Sequence, residues 1–189
     1  MTDHRAIIYA GEASEPVRTG GTVLVTAPSP AAAARLAADL VDGGVDTIEL
    51  CGATGLPWSA AVEAAVAGRA RVGAVLFGFE SLTQVARYKE RAVAGEALTA
   101  LFLHVREGAD PAVDRLERRE GGSRVLFVAI PDAGAGAAVA AGLADEVQLV
   151  ELYGGFAPHE AAAVIEAVGE RVPVGVAVHA RAPGPAPAV

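Results

Sequence analysis

Short apolar runs alternate with segments of helical periodicity along most of the chain. Eight runs rich in Val, Ile and Leu have the length of strands, at residues 6–9, 23–27, 47–51, 71–77, 98–105, 125–130, 147–153 and 174–179. Apolar residues three or four positions apart predict helices at residues 31–41, 59–66, 81–93, 110–119, 133–143 and 159–168. Ser29 and Pro30 suit the N-cap and first turn of the first helix. Residues 12–20, which contain Pro16, are predicted to form a loop.

Strands that alternate with helices predict an α/β fold of parallel strands joined by right-handed crossovers. The eight strands fall into two sets of four, which favours two repeated half-units that close into a compact (βα)8-barrel-like domain. The chain has 189 residues, whereas such barrels typically need about 200 or more. A fused pseudo-dimer of ferredoxin-like or open-sheet α/β halves is therefore the alternative.

An internal repeat is the most informative feature of the sequence. Residues 22–76 align with residues 124–178 at a constant offset of 102 without a gap. The matches include Glu49 with Glu151, Gly52 with Gly154, and Val72-Gly73 with Val174-Gly175. Upstream, residues 6–9 resemble residues 100–103. We expect a first repeat unit at residues 1–94, a second at 95–181, and a disordered Pro-rich tail at 182–189.

Composition and charge exclude several classes of function. The chain is 52% hydrophobic with a net charge of −8, which argues against disorder, against nucleic-acid binding and against adsorption to anionic membranes. No apolar stretch is long enough for a transmembrane helix, and the start has no signal-peptide pattern. The single Cys51 excludes an internal disulfide and fits a reducing compartment. We expect a cytoplasmic protein whose Ala-rich helices would permit a homo-oligomer.

Two glutamates at equivalent places in the repeats are the strongest candidates for chemistry. Glu49 and Glu151 each lie in an otherwise apolar strand, where a carboxylate is costly to bury without a partner. They could face a shared cavity, with pKa values raised by burial, and act as general acid and base. Alternatively, each could cap loop N–H groups or pair with Arg69 or Arg171 and so stabilise its own half.

Other polar residues end the predicted strands, where ligands bind in α/β folds. His104 and His179 are candidate acid/base groups, so the predicted catalytic residues are Glu49, Glu151, His104 and His179. The candidate substrate-binding residues are Cys51, Tyr153, Phe77, Asp132, Arg181, Gly52 and Gly154. No histidine has a partner at metal-ligand spacing, and no nucleotide-binding motif is present, so we predict neither a metal nor a cofactor.

Several stretches of the chain resemble known families. VDTIELCGATG at residues 45–55 and VQLVELYGGF at 147–156 are each followed by a helix and a VG strand. Both resemble an uncharacterised family of short bacterial α/β proteins with an Ile-Glu-Leu-Cys-Gly-Gly-Phe-Gly-like turn, which implies a tandem duplication and no known activity. Residues 40–49 are more weakly similar to sugar-acid aldolases, which implies a (βα)8 barrel. Those enzymes use a strand lysine, whereas Lys89 lies in a predicted helix.

By elimination, the sequence favours a cofactor-independent enzyme that acts on a small organic molecule. Isomerase, cyclase or lyase chemistry with general acid/base catalysis would fit, and the composition is compatible with a biosynthetic role. The alternative is a non-catalytic small-molecule binding or structural protein, in which the two glutamates hold the turns of a pseudo-dimer.

Overall fold

Within the described part of the chain, ten β-strands in one curled sheet and five α-helices form a mixed α/β structure. The computed structural model describes residues 4–179. The first repeat contains β1 (Arg5–Ala10), β2 (Val17–Thr19), β3 (Thr22–Ala27), α1 (Pro30–Asp42), β4 (Thr47–Leu50), α2 (Gly55–Val66) and β5 (Arg71–Phe77). Helix α3 (Leu82–Val93) then leads to the second repeat. The second repeat contains β6 (Thr99–Val105), β7 (Arg115–Glu120), β8 (Ser123–Ile130), α4 (Gly136–Leu143), β9 (Leu149–Tyr153), α5 (Pro158–Val168) and β10 (Val174–His179).

The strand order expresses the duplication. The order is β2-β3-β1-β4-β5-β10-β9-β6-β8-β7. Counted inward from the two edges, the strands of the first repeat and their equivalents in the second occupy the same positions. Each repeat has three parallel ladders and an outer antiparallel hairpin. The two repeats join where β5 and β10 pair antiparallel. Strands of the two repeats therefore run in opposite directions, and each end of the sheet combines carboxyl ends of one repeat with amino ends of the other.

Helices cover one face of each half-sheet. In the first repeat, α1 and α2 pack on a cluster that includes Ile8, Val25 and Ile48. In the second, α4 and α5 pack on the equivalent cluster around Leu103 and Val150. As predicted, the side chain of Ser29 caps α1 by accepting a hydrogen bond from the Ala32 N–H.

The opposite face of the curled sheet is lined by aromatic side chains from both repeats. The ring of Tyr9 lies 6.1 Å from that of Phe102 and 5.3 Å from that of Phe127, measured between centroids. Phe102 also contacts Tyr153 at 5.2 Å. These contacts form a third apolar cluster that joins the two repeats, and large buried aromatic rings dominate the energetics of such interfaces.

The sheet topology does not confirm the barrel prediction. Eight parallel strands were expected, but residues 4–179 contain ten strands, and three of their ladders are antiparallel. The alternative of two fused ferredoxin-like or open-sheet halves is not confirmed either, because β5 and β10 make the sheet continuous. The predicted α/β class with an internal duplication is confirmed.

Two segments differ from their predicted secondary structure. The segment predicted as a helix at 110–119 contains β7, and the loop predicted at 12–20 contains β2. In both cases the strand is the outer member of a hairpin, with exposed positions that carry little apolar signal. The alternation of half-buried and exposed residues in RLERRE fits such an edge strand.

The upstream alignment of the repeats is wrong by one residue. In the structure Ile7 pairs with Glu49 and Phe102 pairs with Glu151, so Ile7 is equivalent to Phe102 and not to Leu101. Because Ile7 also pairs with Leu24 and Phe102 with Phe127, the offset between β3 and β8 is 103, and the predicted gap-free offset of 102 does not hold in these two strands. A shift of one residue moves every side chain of a strand to the opposite face. With the corrected register, Tyr9 is equivalent to His104, and Arg5 is equivalent to Ala100.

Within residues 4–179, no helix is long and apolar enough to cross a membrane. The cytoplasmic location stays a prediction. The tail at 182–189 and the candidate Arg181 lie outside the described residues.

Glycines at the β5–β10 junction make room for large side chains. A Cβ added at Gly175 would lie 2.6 Å from Val75 Cγ1 and 2.8 Å from Phe77 Cε1. We expect Gly175→Ala to lower the free energy of unfolding by about 1–3 kcal/mol, because the neighbouring side chains must move. Urea unfolding measures the change. Gly142→Ala in α4, where a Cβ meets nothing within 4 Å, is the control and should be neutral or stabilising. Equal effects of both substitutions would contradict the close packing at this junction.

Candidate functional site

Glu49 and Glu151 lie on the inner face of the sheet, 0% and 1% exposed. Each carboxylate accepts a hydrogen bond from a glycine of the other repeat. The Gly154 N–H donates to Glu49 Oε1 at 3.1 Å, and the Gly52 N–H donates to Glu151 Oε1 at 3.0 Å. Because Gly52 and Gly154 are themselves equivalent, the two bonds form a reciprocal pair that ties the repeats together. We call this pair the crossed glutamate bonds.

Glu49 lies in a polar environment. Arg5 Nε is 3.2 Å from its Oε2, and His179 Nε2 is 3.6 Å from its Oε1. Burial raises the pKa of Glu49, while the charge of Arg5 and the Gly154 N–H act in the opposite direction. The Arg5 guanidinium also donates to the Val105 carbonyl at 3.1 Å, so the arginine connects the glutamate to the second repeat.

Glu151 has no such cation. Its Oε2 accepts a short hydrogen bond from the Tyr153 hydroxyl, and within residues 4–179 no Lys or Arg forms an ion pair with it. Burial raises its pKa from the ordinary 4.5 to about 7, against the lowering effect of the Tyr153 and Gly52 bonds. A carboxyl group with this pKa can both accept and donate a proton near neutral pH.

A difference between the repeats explains why the two glutamates have different surroundings. Ala100 stands where the first repeat has Arg5, and Phe77 stands where the second repeat has His179. These small or apolar side chains leave the region around Glu151 without a counter-ion. They also leave open space beside it.

That space is a cavity of about 490 Å³. Its lining includes Tyr9, Cys51, Gly52 and Phe77 from the first repeat, Val85, Tyr88, Lys89 and Ala92 from α3, and Ala100, Phe102 and Glu151 from the second repeat. Its volume falls within the range of small-molecule sites, which are mostly apolar with a few polar groups. Glu151 is the acidic residue of its lining, and Glu49 does not line it.

Two other protic groups of the cavity, Cys51 and Tyr88, are neutral near pH 7. Burial raises the pKa of Cys51 to about 12, so its thiol is not a nucleophilic thiolate near neutral pH. Burial, followed by the charge of Glu151, raises the pKa of Tyr88 to about 12 as well. Gly52 is required beside Glu151, because a Cβ there would lie 2.6 Å from Phe77 Cε2 and 2.9 Å from Glu151 Oε1.

Not all predicted site residues come together at this cavity. Cys51, Gly52, Phe77 and Glu151 line it, and Tyr153 lies behind the lining, in contact with Glu151 and Phe102. Gly154 and His179 lie beside Glu49 instead.

Two more candidates lie elsewhere. Asp132 caps a short 3₁₀ helix by accepting from the Ala135 N–H. His104 lines a separate small cavity of about 210 Å³. Burial lowers its pKa to about 4, so it is neutral near pH 7. Arg69 and Arg171 do not pair with the glutamates, since they form ion pairs with Asp42 and Asp145.

The wall contributed by α3 was not predicted from the sequence. Val85, Tyr88, Lys89 and Ala92 follow the spacing i, i+3, i+4 and i+7, which marks one face of a helix. This spacing was visible in the sequence, but nothing in it placed that face over Glu151.

At the opposite end of the sheet lies a polar cavity of about 760 Å³ that includes Arg5, Arg71 and Arg106. Residues 4–179 contain no group of three or more His, Cys, Asp or Glu that could hold a metal ion.

The model of a family described as "Family of unknown function (DUF6506)" matches residues 12–90 and 98–187. The chain belongs to the DUF6506 family. Two successive DUF6506 segments bear out the tandem duplication of an uncharacterised family, whereas the similarity to sugar-acid aldolases is not confirmed. No curated protein and no solved structure matches the chain.

The raised pKa of Glu151 predicts a pH-dependent stability. The unfolded chain loses this proton near pH 4.5 and the folded chain near pH 7, so Glu151 reduces the free energy of unfolding as pH rises between these values. Glu151→Gln removes this effect. Relative to the wild type, the variant should gain about 3 kcal/mol between pH 4.5 and 8.

Urea unfolding at a series of pH values measures this difference. Glu63→Gln, on the exposed face of α2, is the matched control and should run parallel to the wild type. A difference between Glu151→Gln and wild type that does not change with pH would contradict the raised pKa.

The Arg5–Glu49 ion pair predicts strong coupling between the two residues. Glu49→Gln leaves the Arg5 guanidinium without its counter-ion, so each single substitution, Glu49→Gln or Arg5→Met, should cost about 2 kcal/mol or more. The double variant should cost less than the sum, with a coupling energy of about 1–3 kcal/mol in a double-mutant cycle. The exposed Arg69–Asp42 pair is the control and should couple by less than about 1 kcal/mol. If the losses in the free energy of unfolding caused by the two single substitutions simply add in the double variant, the ion pair between Arg5 and Glu49 is contradicted.

Proposed function

We propose that the protein is a cofactor-independent enzyme that transfers protons within a small organic molecule bound in the 490 Å³ cavity. Glu151 is the general acid/base, and isomerisation is the reaction that this arrangement fits best. The observation that carries the proposal is a buried carboxyl group that borders a mostly apolar cavity, has no cationic partner among the described residues, and titrates near neutral pH.

The proposed reaction is a proton shift next to a carbonyl group. The Glu151 carboxylate removes a proton from carbon, which leaves an enolate, and the resulting carboxylic acid returns the proton to a different carbon. Atoms and charges balance, and no oxidant, reductant or cofactor is consumed. Cyclase or lyase chemistry that begins with the same proton transfer would use the same group.

The neighbouring residues have positioning roles in this proposal. Tyr153 and the Gly52 N–H hold the two oxygens of Glu151, which fixes the carboxyl group relative to the cavity. The Tyr88 hydroxyl stays protonated near neutral pH and is available as a hydrogen-bond donor to an anionic oxygen of the substrate. Glu49, with Arg5 and His179, supports the same inner face from the other side and does not contact the substrate.

A second candidate function is binding without turnover. Both glutamates accept N–H groups across the repeats, so a structural role alone would account for their burial. In that case the cavity would hold a ligand, and Glu151 would serve only to stabilise the fold.

Proton exchange into deuterated water distinguishes the two functions. The probes are uncharged cyclic ketones, including a β,γ-unsaturated cyclohexenone that isomerises to its conjugated form, followed by NMR. We expect the wild type to accelerate exchange and isomerisation, with a rate that rises with pH through about 7. Glu151→Gln should lose about 100-fold or more of the rate.

The matched control is Glu90→Gln, because Glu90 is exposed on α3 and does not line the cavity. It should keep the wild-type rate. Saturation-transfer signals from the ketones without accelerated exchange would reject catalysis in favour of binding. The absence of both binding and exchange would reject the use of this cavity for a small ketone.

A further inference from the structure

We infer that the ligand of the 490 Å³ cavity is a flat, apolar molecule with one anionic group, and that Lys89 holds this group at the mouth of the cavity. The inference rests on the proposed function, because it assumes that a small molecule occupies the space beside Glu151. It adds the chemical class of that molecule and a residue that selects it.

The walls of the cavity favour a flat ring system. Phe77, Phe102, Tyr9 and Tyr88 line it together with the aliphatic side chains of Val85 and Leu149. Aromatic faces stack on planar ligands with offset or edge contacts. The rings of Tyr9 and Phe102 meet at an interplanar angle of 85°, an edge-to-face arrangement that a further planar ring can extend.

The charges of the cavity favour one anionic group. Lys89 is its cationic lining residue, Glu151 is its acidic one, and the two lie on different elements, α3 and β9. Lys89 is the chain's single lysine, against fourteen arginines. Lys89 is exposed on α3 and also lines the cavity, so it lies where the cavity meets solvent; a lysine at such a place can keep its ammonium group in water while its stem covers apolar surface.

The overall charge of the protein works against anions, which makes the position of Lys89 informative. The net charge is −8, so the overall field repels an anionic ligand. Of the other two basic residues of α3, neither Arg87 nor Arg91 lines the cavity, and Arg91 forms an ion pair with Glu96 at 2.7 Å. Within residues 4–179, Lys89 forms no ion pair of this kind and is left to compensate a charge that the ligand brings.

The two ends of the cavity therefore favour different groups. Glu151 lies among buried residues and suits the uncharged part of the ligand, where its carboxylate can reach a carbon next to the carbonyl group. Lys89 suits a carboxylate or another singly charged group. A planar cyclic carbonyl compound with a carboxylate at its far end satisfies both residues.

A pair of probes with equal shape and different charge tests the inference. Naphthoate carries a carboxylate, and naphthamide has the neutral amide in its place. We expect the wild type to bind naphthoate about threefold to fivefold more tightly at low ionic strength, the effect of one solvent-exposed ion pair. Added salt should reduce this preference. Titration calorimetry gives both affinities, and backbone NMR shifts at Gly52 and Ala53 confirm that the probes occupy this cavity.

Variants of α3 assign the preference to one residue. Lys89→Gln should bind both probes equally, and Lys89→Arg should keep the preference for naphthoate. Arg91→Gln removes one cation from the same helix outside the cavity and should also keep it. A preference that survives Lys89→Gln, or equal binding of the probes by the wild type, would overturn the inference while leaving the proposed function intact. If neither probe shifts Gly52 or Ala53, the small-molecule function fails as well.

Discussion

Two carboxyl groups lie in the interior of this sheet, and burial without partners would cost each of them several kcal/mol. The crossed glutamate bonds offset part of this free energy of burial, because each repeat supplies a glycine N–H to the glutamate of the other. The bonds also fix how the two half-sheets face each other. One half alone would keep the contact of its glutamate with Arg5 or Tyr153, but it would lose the partner of the other carboxylate oxygen and of its glycine N–H.

The same constraint shows how duplicated positions can diverge. Both copies keep the glutamate and the glycine, but the residues around them differ. Arg5 and His179 surround Glu49, whereas the equivalent positions around Glu151 hold Ala100 and Phe77. One copy therefore forms a buried ion pair, and the other borders a cavity with a carboxyl group whose pKa is raised to about 7. An ion pair at one glutamate and an open cavity at the other are compatible within a single sheet, because both crossed bonds form in these different surroundings.

Helix α3 adds an asymmetry that the duplication does not require. It follows β5, connects the repeats, and closes the cavity beside Glu151 with one of its faces. That face is only partly buried, as expected for a wall of an open site and not for a core helix. The position of this connecting helix, together with Ala100 and Phe77 in the strands, decides which end of the sheet has a covered apolar cavity.

Much of this architecture was readable from the residues alone. The constant offset of 102 identified the repeat, and the apolar runs located eight of the ten strands, because buried strands carry a strong hydrophobic signal. The edge strands β2 and β7 were not predicted, since exposed strands lack that hydrophobic signal. The upstream alignment was wrong by one residue, because two apolar runs can be matched in either register when only their hydrophobicity is compared.

The sequence by itself determined that two equivalent glutamates would lie in apolar strands and that the strands would alternate with helices, because hydrophobic period and repetition are local properties. Only the tertiary structure decided that each glutamate bonds to the other repeat, that Arg5 neutralises one of them, and that α3 places Lys89 and Tyr88 beside the other. Those contacts join residues that are far apart in the sequence or lie across the curl of the sheet, and no local pattern encodes which distant residues meet.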